Sequence, residues 1–308
     1  MALRLQPSLI PPPSAKPPKN PNPKPRTACT PLRPLSPTVL SSSTLAVAGG
    51  DAGLRFREKL LYLEHDLGVD SSKALSLNPA LRAAPLSSLC SIADFLASFG
   101  LRPADSGRIF SMYPHLLTCD PSADLRPVFD FLLGPTDIPS ADIRKAVVRC
   151  PRLLVSSVPG QLQPALYFLR RLGFVGQHRI SCQTTVLLVS SVEGTLIPKL
   201  DYLQSLGFSS WETKKMVLRS PGLLTFSIEN NFRPKVAFLV REMGREISEL
   251  KEFPQYFSFS LEGKIKPRHQ MLVENGFSMP LSEMLKVSDG EFRQRLVEMR
   301  LNPVGEKL

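Results

Sequence analysis

The chain has 308 residues, a formal net charge of +11, 43% hydrophobic residues and 21% charged residues. This hydrophobic content is enough to bury a long continuous core. No apolar run approaches the roughly 20 residues that a membrane-spanning helix needs. We therefore expect a soluble protein that does not enter a membrane.

Residues 1–50 differ in composition from the rest of the chain. They contain no acidic residue, six basic residues, many hydroxyl side chains and twelve prolines. An acid-free, hydroxylated leader is typical of an organelle transit peptide, which we expect to be disordered. A disordered proline-rich interaction tail is the alternative. Scarce arginine with abundant serine and proline favours the chloroplast, with the mitochondrion as the alternative.

A phrase of proline, one variable residue and two large apolar residues recurs along the remaining sequence. It begins at Pro79, Pro114, Pro151, Pro221 and Pro254, and at Thr185 in a copy without the proline. The intervals are 35, 37, 34, 36 and 33 residues. Self-similarity at a period in this range predicts a solenoid.

A second phrase runs in step with the first and consists of an apolar, helix-like stretch closed by glycine. The closing glycines are Gly68, Gly100, Gly134, Gly173, Gly207, Gly244 and Gly276. Five stretches carry a proline near their start, at Pro127, Pro164, Pro198, Pro234 and Pro267. Proline in the first turn and glycine just past the last turn are the usual boundaries of a helix.

Another helix is expected before each proline phrase. Ser209 and Glu212 have the spacing of a capping box, and the helix that they begin should end before Pro221. Each repeat is then helix, proline-terminated turn, helix and glycine. The sequence predicts an all-α fold, an α-solenoid superhelix of about seven units over residues 54–285. Residues 286–308 are expected to form a C-terminal capping segment, with a helix over 291–300.

Basic residues recur at one position in the first helix of successive repeats. Without the leader the net charge falls to +5, and the whole surplus lies in residues 161–308. Six residues before the proline position stand Lys73, Arg108, Lys145, Arg179 and Lys215. Arg149 and Arg219 follow one helical turn later, on the same face.

A second basic column follows the proline of the other helix. It consists of Lys199, Lys235 and Arg268, flanked by Arg233 and Lys266. Equivalent positions of a solenoid stack along one surface, so both columns predict stripes of cations that can follow a phosphate backbone. The alternative is that the repeat only needs a solvated residue there, since lysine and arginine are good helix formers.

The other polar residues do not indicate catalysis. The four histidines and five cysteines lack the spacing of a metal site or a disulfide framework, and we find no P-loop and no nucleophile elbow. We therefore expect no enzyme, no metal and no cofactor. Cys119 and Cys150 are expected to be small, buried, reduced thiols, and Trp211 is expected to anchor packing.

The alternation of the two phrases resembles the mitochondrial transcription termination factor (mTERF) family. The best matches are residues 219–224, 164–174, 198–208 and 234–244, and the resemblance covers residues 54–285. Together with the leader, it is most similar to the short plastid members of plants. Two copies depart from the family pattern, at Thr185 and at the aromatic run 253–257.

The resemblance implies a curved stack of mTERF-like helix pairs whose concave basic groove holds nucleic acid. It also implies a role in organellar gene expression, and three hypotheses remain open. The first is a monomer that binds double-stranded DNA in transcription termination or regulation. The second is an RNA-binding factor in intron splicing or rRNA maturation. The third is a scaffold for transcription or splicing proteins. Phosphate contacts are alike in DNA and RNA, so sequence does not separate the first two.

Overall fold

The computed structural model describes residues 48–301, with side chains from residue 52 onward. The predicted transit peptide therefore lies almost wholly outside the described residues, as does the end of the capping segment. Within 48–301 every regular element is helical and none is a strand, which confirms the all-α prediction. None of these helices is long and apolar enough to cross a membrane.

Residues 48–301 contain fourteen α-helices. They are α1 Ala48–Leu61, α2 Ser71–Leu77, α3 Leu86–Ser98, α4 Pro103–Met112, α5 Arg126–Leu133, α6 Ser140–Arg149, α7 Gln163–Leu172, α8 Ile197–Ser205, α9 Ser210–Arg219, α10 Arg233–Ala237, α11 Glu249–Glu252, α12 Lys266–Glu274, α13 Leu281–Lys286 and α14 Asp289–Leu301. We number the repeats 1 to 6 by their proline phrases, from α2 to α12. The last helix, α14, contains the predicted helix over 291–300.

The proline phrase forms a short 3-10 helix after the first helix of each repeat. These 3-10 helices are Pro79–Arg82, Pro114–Thr118, Pro151–Val155, Thr185–Leu187, Pro221–Thr225 and Pro254–Ser258. Before Pro151, Cys150 has φ −131° and ψ 74°, outside the α region, as a residue before proline requires. Leu153 and Leu154 are buried in the core. The predicted proline-terminated turn is confirmed.

The second helix of repeats 2 to 6 begins earlier than the sequence suggested. A single π turn precedes the α-helix in each, at Pro121–Leu125, Val158–Leu162, Val192–Leu196, Ile228–Phe232 and Leu261–Ile265. The N-caps are Asp120, Ser157, Ser191, Ser227 and Ser260, whose side chains accept backbone N–H groups. The helix prolines therefore follow the π turn and do not mark the helix start. Proline has no N–H to donate, so the α-helix lacks one backbone hydrogen bond just after the π turn.

Repeat 4 lacks the first α-helix that the period predicted. Residues 175–184 contain only the 3-10 helix Gly176–His178 and turns. The Ser181 N–H donates to the Thr184 hydroxyl at 2.9 Å, and the Thr184 N–H donates to the Ser181 carbonyl at 2.9 Å. Such local serine and threonine bonds compete with helix formation, and Gly176 has φ 57°, which helical residues do not adopt. The α-helical part of the first helix is also short in repeat 6, where α11 has four residues.

One continuous hydrophobic core runs through the described repeats, from Leu63 to Leu296. It is built from the apolar stripes of the helices and from the paired apolar residues of the proline phrases. Neighbouring repeats also meet through aromatic contacts, for example the Phe99 and Phe129 rings, whose centroids are 4.0 Å apart. This core fixes the first helices of successive repeats beside one another.

Candidate nucleic-acid interface

Most of the first predicted basic column is exposed on the first helices. Lys73 lies on α2, Arg108 on α4, Lys145 and Arg149 on α6, and Lys215 and Arg219 on α9, all with exposed side chains. Exposure leaves these cations accessible to an anionic ligand. The structure places all of them except Lys73 in two clefts.

The first cleft, here named the α4–α6 cleft, has a volume of about 470 Å³. It is lined by Arg108, Arg144, Lys145, Val148, Arg149, Cys182 and Gln183. Three predicted residues, Arg108, Lys145 and Arg149, thus meet in one place. Arg144 is a fourth cation that the sequence argument missed, and its only signal is its position next to Lys145. None of the lining residues is acidic.

Two of the four cations are held by neighbouring carboxylates. Arg144 donates to both oxygens of Asp105, at 2.8 Å from Nε and 3.2 Å from Nη2. This bond holds the pKa of Asp105 below its usual range, so the carboxylate stays ionised and fixes Arg144. Lys145 Nζ lies 2.8 Å from Asp142 Oδ1, an exposed contact that a ligand can displace.

The other two cations of the α4–α6 cleft are available. Among the described residues, neither Arg108 nor Arg149 has an ion-pair or hydrogen-bond partner. Their guanidinium groups carry planar sets of donors that match phosphate oxygens. The cleft therefore offers two unoccupied guanidinium groups beside the Arg144 guanidinium and the Lys145 ammonium, which carboxylates already orient.

Arg179 does not continue the first column, and that prediction is wrong. It lies in the irregular segment of repeat 4, where its Nη1 is 2.6 Å from Asp137 Oδ2. It lines a different cleft, together with Arg170. The physical reason is the missing helix: without it, Cys182 and Gln183 take the place beside α6.

The second predicted column is buried, so the prediction that it forms an exposed stripe of cations is wrong. Lys199, Lys235 and Arg268 are 9%, 6% and 2% exposed. Lys199 Nζ donates to the Leu224 carbonyl at 2.6 Å, and Lys235 Nζ donates to the Phe257 carbonyl at 2.6 Å. Both acceptors are the last apolar residue of the proline phrase in the next repeat. These lysines join repeats and do not face a ligand.

Arg268 and one lysine that the sequence argument missed make the same kind of joint. Arg268 donates from Nη1 to the Met284 carbonyl at 2.5 Å. Lys59, on α1, donates from Nζ to the carbonyls of Leu81 and Arg82, at 2.8 and 2.9 Å. The ends of short helices leave carbonyls without intrahelical partners, and a buried cation satisfies them. Burial lowers the pKa of Lys199, and that of Lys235 to about 8.

The flanking residues Arg233 and Lys266 remain outside both clefts. Each contacts a glutamate one turn earlier in its own helix, Arg233 with Glu229 at 2.9 Å and Lys266 with Glu262 at 2.5 Å. Exposed pairs of this kind contribute little to stability. The structure does not bring these two cations together with Arg108, Lys145 and Arg149.

The second cleft, here named the Trp211 cleft, contains the remaining predicted residues. It has a volume of about 280 Å³ and is lined by Trp211, Glu212, Lys215, Arg219, Lys251 and Glu252. Lys215 Nζ lies 3.7 Å from the centroid of the Trp211 ring, a cation–π contact. Trp211 is 62% exposed, so the expectation that it anchors packing is wrong.

Comparison with known proteins gives the family. The family model described as mTERF matches residues 93–180 and 136–293. The chain belongs to the mTERF family. The matched region includes both clefts and all eleven residues that the sequence predicted for nucleic-acid binding.

Several plant proteins are similar to this mTERF chain. Transcription termination factor MTERF2, chloroplastic, of Arabidopsis thaliana is 30% identical over 166 residues, which cover 54% of this chain and 20% of the relative. Transcription termination factor MTERF4, chloroplastic, of Oryza sativa subsp. japonica is 34% identical over 85 residues, 28% of this chain and 16% of the relative. The chain thus spans a fifth or less of the length of these relatives.

Relatives from both organelles match the chain. Transcription termination factor MTERF8, chloroplastic, of Arabidopsis thaliana is 24% identical over 201 residues, 65% of this chain and 40% of the relative. Transcription termination factor MTERF15, mitochondrial, of the same plant is 25% identical over 179 residues, 58% of this chain and 39% of the relative. Most matching relatives are named chloroplastic, which supports a chloroplast location, with the mitochondrion as the alternative.

The thiols of this mTERF protein fit a structural role. Cys150 is buried and Cys119 is half-buried. Burial raises the pKa of both thiols, that of Cys119 to about 11, so both stay protonated and poorly nucleophilic near neutral pH. Within the described residues, no group of three or more histidine, cysteine or acidic side chains could hold a metal ion.

Proposed function

We propose that this mTERF protein binds double-stranded DNA of the chloroplast through the α4–α6 cleft and regulates transcription, including its termination. The observation that carries the proposal is the convergence of four cations from two successive repeats on one cleft without an acidic lining residue. Each phosphate neutralised by such a cation releases condensed counterions, which drives binding. The relatives' names as transcription termination factors add support. The protein acts by binding, not by catalysis.

The cations have different parts in this proposal. Arg108 and Arg149 bind phosphate oxygens through paired N–H groups, which is a geometry-dependent contact. Arg144 is oriented by Asp105 before the ligand arrives, so less conformational entropy is lost on binding. Lys145 releases its contact with the Asp142 carboxylate and contacts a phosphate instead. Phosphate contacts of this kind set affinity and position, not sequence preference.

The test removes the three predicted cations of the cleft together, as Arg108→Ala, Lys145→Ala and Arg149→Ala. For duplex DNA we expect weaker binding on every sequence, and a plot of log affinity against log salt flatter by about 2 to 3, since each phosphate contact contributes about 0.9. Affinity at several salt concentrations, from fluorescence anisotropy of labelled DNA, measures both.

A matched control removes the same charge outside the cleft, as Arg179→Ala, Arg233→Ala and Lys266→Ala. All three are exposed or half-buried side chains in ion pairs, so the fold is expected to persist. We expect this variant to keep most of the affinity and the salt dependence. Equal losses in the two variants would mean that net charge alone determines binding, and would overturn the assignment to the α4–α6 cleft.

RNA binding in intron splicing or rRNA maturation is the second candidate. The exposed Trp211 ring favours it, because bases without a pairing partner stack on aromatic side chains. Competition between duplex DNA and structured RNA of equal length, followed by crosslinking in chloroplasts, separates the two. Recovery of an intron or rRNA without promoter or terminator DNA would replace the first candidate by the second.

A further inference from the structure

We propose that the Trp211 cleft binds an unpaired nucleobase that carries an exocyclic amino group. The inference rests on the proposed nucleic-acid binding and names the ligand of a second subsite. The α4–α6 cleft is suited to phosphates, whereas the Trp211 cleft combines an aromatic face, cations and carboxylates. That combination fits a free base, which has a flat face for stacking and an edge of hydrogen-bonding groups.

The first observation is the position of the ring. Trp211 lies in the first turn of α9, two residues after the N-cap Ser209, which forms a capping box with Glu212. The cap fixes the backbone that carries the ring. The ring is nevertheless 62% exposed, although tryptophan is on average a highly buried residue. Lys215 Nζ lies over the ring at 3.7 Å from its centroid, and the exposure of the residue leaves it accessible to a ligand.

The second observation is the arrangement of charge around the ring. Arg219 Nη1 donates to the carbonyls of Lys251 and Glu252, at 3.2 and 2.9 Å, which fixes Arg219 at the end of α11. Lys251 Nζ lies 3.2 Å from Glu212 Oε1. Within residues 52–301, Lys215 Nζ has the ring contact but no hydrogen-bond or ion-pair partner. It is the cation that can neutralise the phosphate next to a bound base.

The third observation is the pair of carboxylates in the cleft. The Ser209 N–H and Lys251 Nζ hold the pKa of Glu212 below its usual range, so this group remains ionised. The carboxylate of Glu252 has no hydrogen-bond or ion-pair partner within residues 52–301. Carboxylates repel a phosphate chain but accept hydrogen bonds from amino groups such as cytosine N4. Cytosine and adenine therefore fit the cleft better than uracil or thymine.

The chain contains a single tryptophan, so tryptophan emission, excited selectively over that of tyrosine, reports on this cleft alone. We titrate the full chain with single-stranded oligocytidine of about 10 nucleotides, a length within the usual site size of a stacking groove. A fully paired duplex of equal length serves as the comparison. Stacking on the ring is expected to quench the tryptophan emission with the single strand and to leave it unchanged with the duplex.

The matching variant is Trp211→Leu, whose exposed position makes loss of the fold unexpected. Its affinity for the single strand is expected to fall about 5- to 150-fold, the effect of one lost base–aromatic stack, with no change for the duplex. Tyr167→Leu is the control, because Tyr167 is 65% exposed and has the Arg171 guanidinium 5.9 Å from its ring centroid. It is expected to bind both ligands as the parent does. Glu252→Gln is expected to reduce the preference for oligocytidine over oligouridine.

The possible failures are distinguishable. Duplex binding that depends on Arg108, Lys145 and Arg149, with no tryptophan response to saturating single strand, overturns this inference and leaves the proposed function standing. Equal losses of single-strand affinity in Trp211→Leu and Tyr167→Leu overturn it as well, because the effect would then not be specific to the Trp211 cleft. No binding of either ligand overturns both proposals.

Discussion

Two sets of basic residues recur with the same period in this mTERF protein and have opposite surroundings. Arg108, Lys145 and Arg149 project from first helices into an open cleft. Lys199 and Lys235, on second helices, are buried and donate to carbonyls of the next repeat. A repeat period therefore establishes which positions are equivalent, but not which way their side chains face.

The buried set also differs from one repeat to another. One place after the helix proline, repeats 2 and 3 have Val128 and Ala165 in place of a lysine. Val128 lines an open cleft of about 450 Å³ together with Leu154, the equivalent of the carbonyl-bearing residues Leu224 and Phe257. An apolar side chain therefore takes the position of the buried lysine at this junction.

The largest effect is expected from removing two buried lysines, as Lys199→Ala with Lys235→Ala. Each change leaves a buried carbonyl without its donor, so the free energy of unfolding should fall by about 2–5 kcal/mol in total. Urea unfolding followed by circular dichroism measures this loss. The exposed pair Lys145→Ala with Arg149→Ala is expected to cost far less, and comparable losses would remove the distinction between the two sets.

A smaller effect is expected from pH, because burial lowers the pKa of Lys235 from 10.5 to about 8. Between these values the unfolded state binds more protons than the folded state, so stability rises with pH. From pH 7 to about 9.5, below the titration of most tyrosines, the gain from Lys235 should be roughly 1–2 kcal/mol. Urea midpoints across this range test it, and Lys235→Met should lose this part of the slope. A slope identical to that of the parent would show that Lys235 does not titrate there.

The smallest effect is expected from Arg179→Ala, a change in the exposed set. Arg179 belongs to the exposed set by period but lies outside the α4–α6 cleft. Its ion pair with Asp137 is exposed, so stability should change by less than about 0.5 kcal/mol, and affinity for duplex DNA should be unchanged. Calorimetric unfolding and anisotropy measure the two quantities. A loss of affinity as large as that of Arg149→Ala would restore Arg179 to the binding surface.

The spacing of apolar and polar residues within each helix also indicates side-chain direction, which the repeat period does not. Lys199 lies between Leu196 and Leu203, at the spacing of the apolar stripe that α8 buries, which indicates burial. Lys145 lies between Asp142 and Arg149 at the same spacing, on a polar stripe. A helical-wheel argument thus separates the two sets where periodicity alone cannot.

Other features can be predicted from the sequence when they depend on local chemistry, and cannot when they depend on packing between repeats. The proline turns and the Ser209 capping box were predictable because they depend on local chemistry. The N-cap serines had a signal as well, since Ser157, Ser191, Ser227 and Ser260 each stand seven residues before the helix proline. The exposure of Trp211 was not predictable, because it depends on what repeat 6 leaves uncovered. The missing helix of repeat 4 depends on a balance between propensity and the Ser181–Thr184 bonds.

The joint made by Lys199 and Lys235 has a consequence for how chains of this kind can change length. Its donor and its acceptor always belong to successive repeats, and every repeat that carries both can follow any other such repeat. Duplication of a whole unit that carries both therefore preserves this buried hydrogen bond, whereas insertion of part of a unit leaves a cation or a carbonyl unpaired in the interior. This hydrogen bond between successive repeats therefore favours growth of the solenoid by complete repeats.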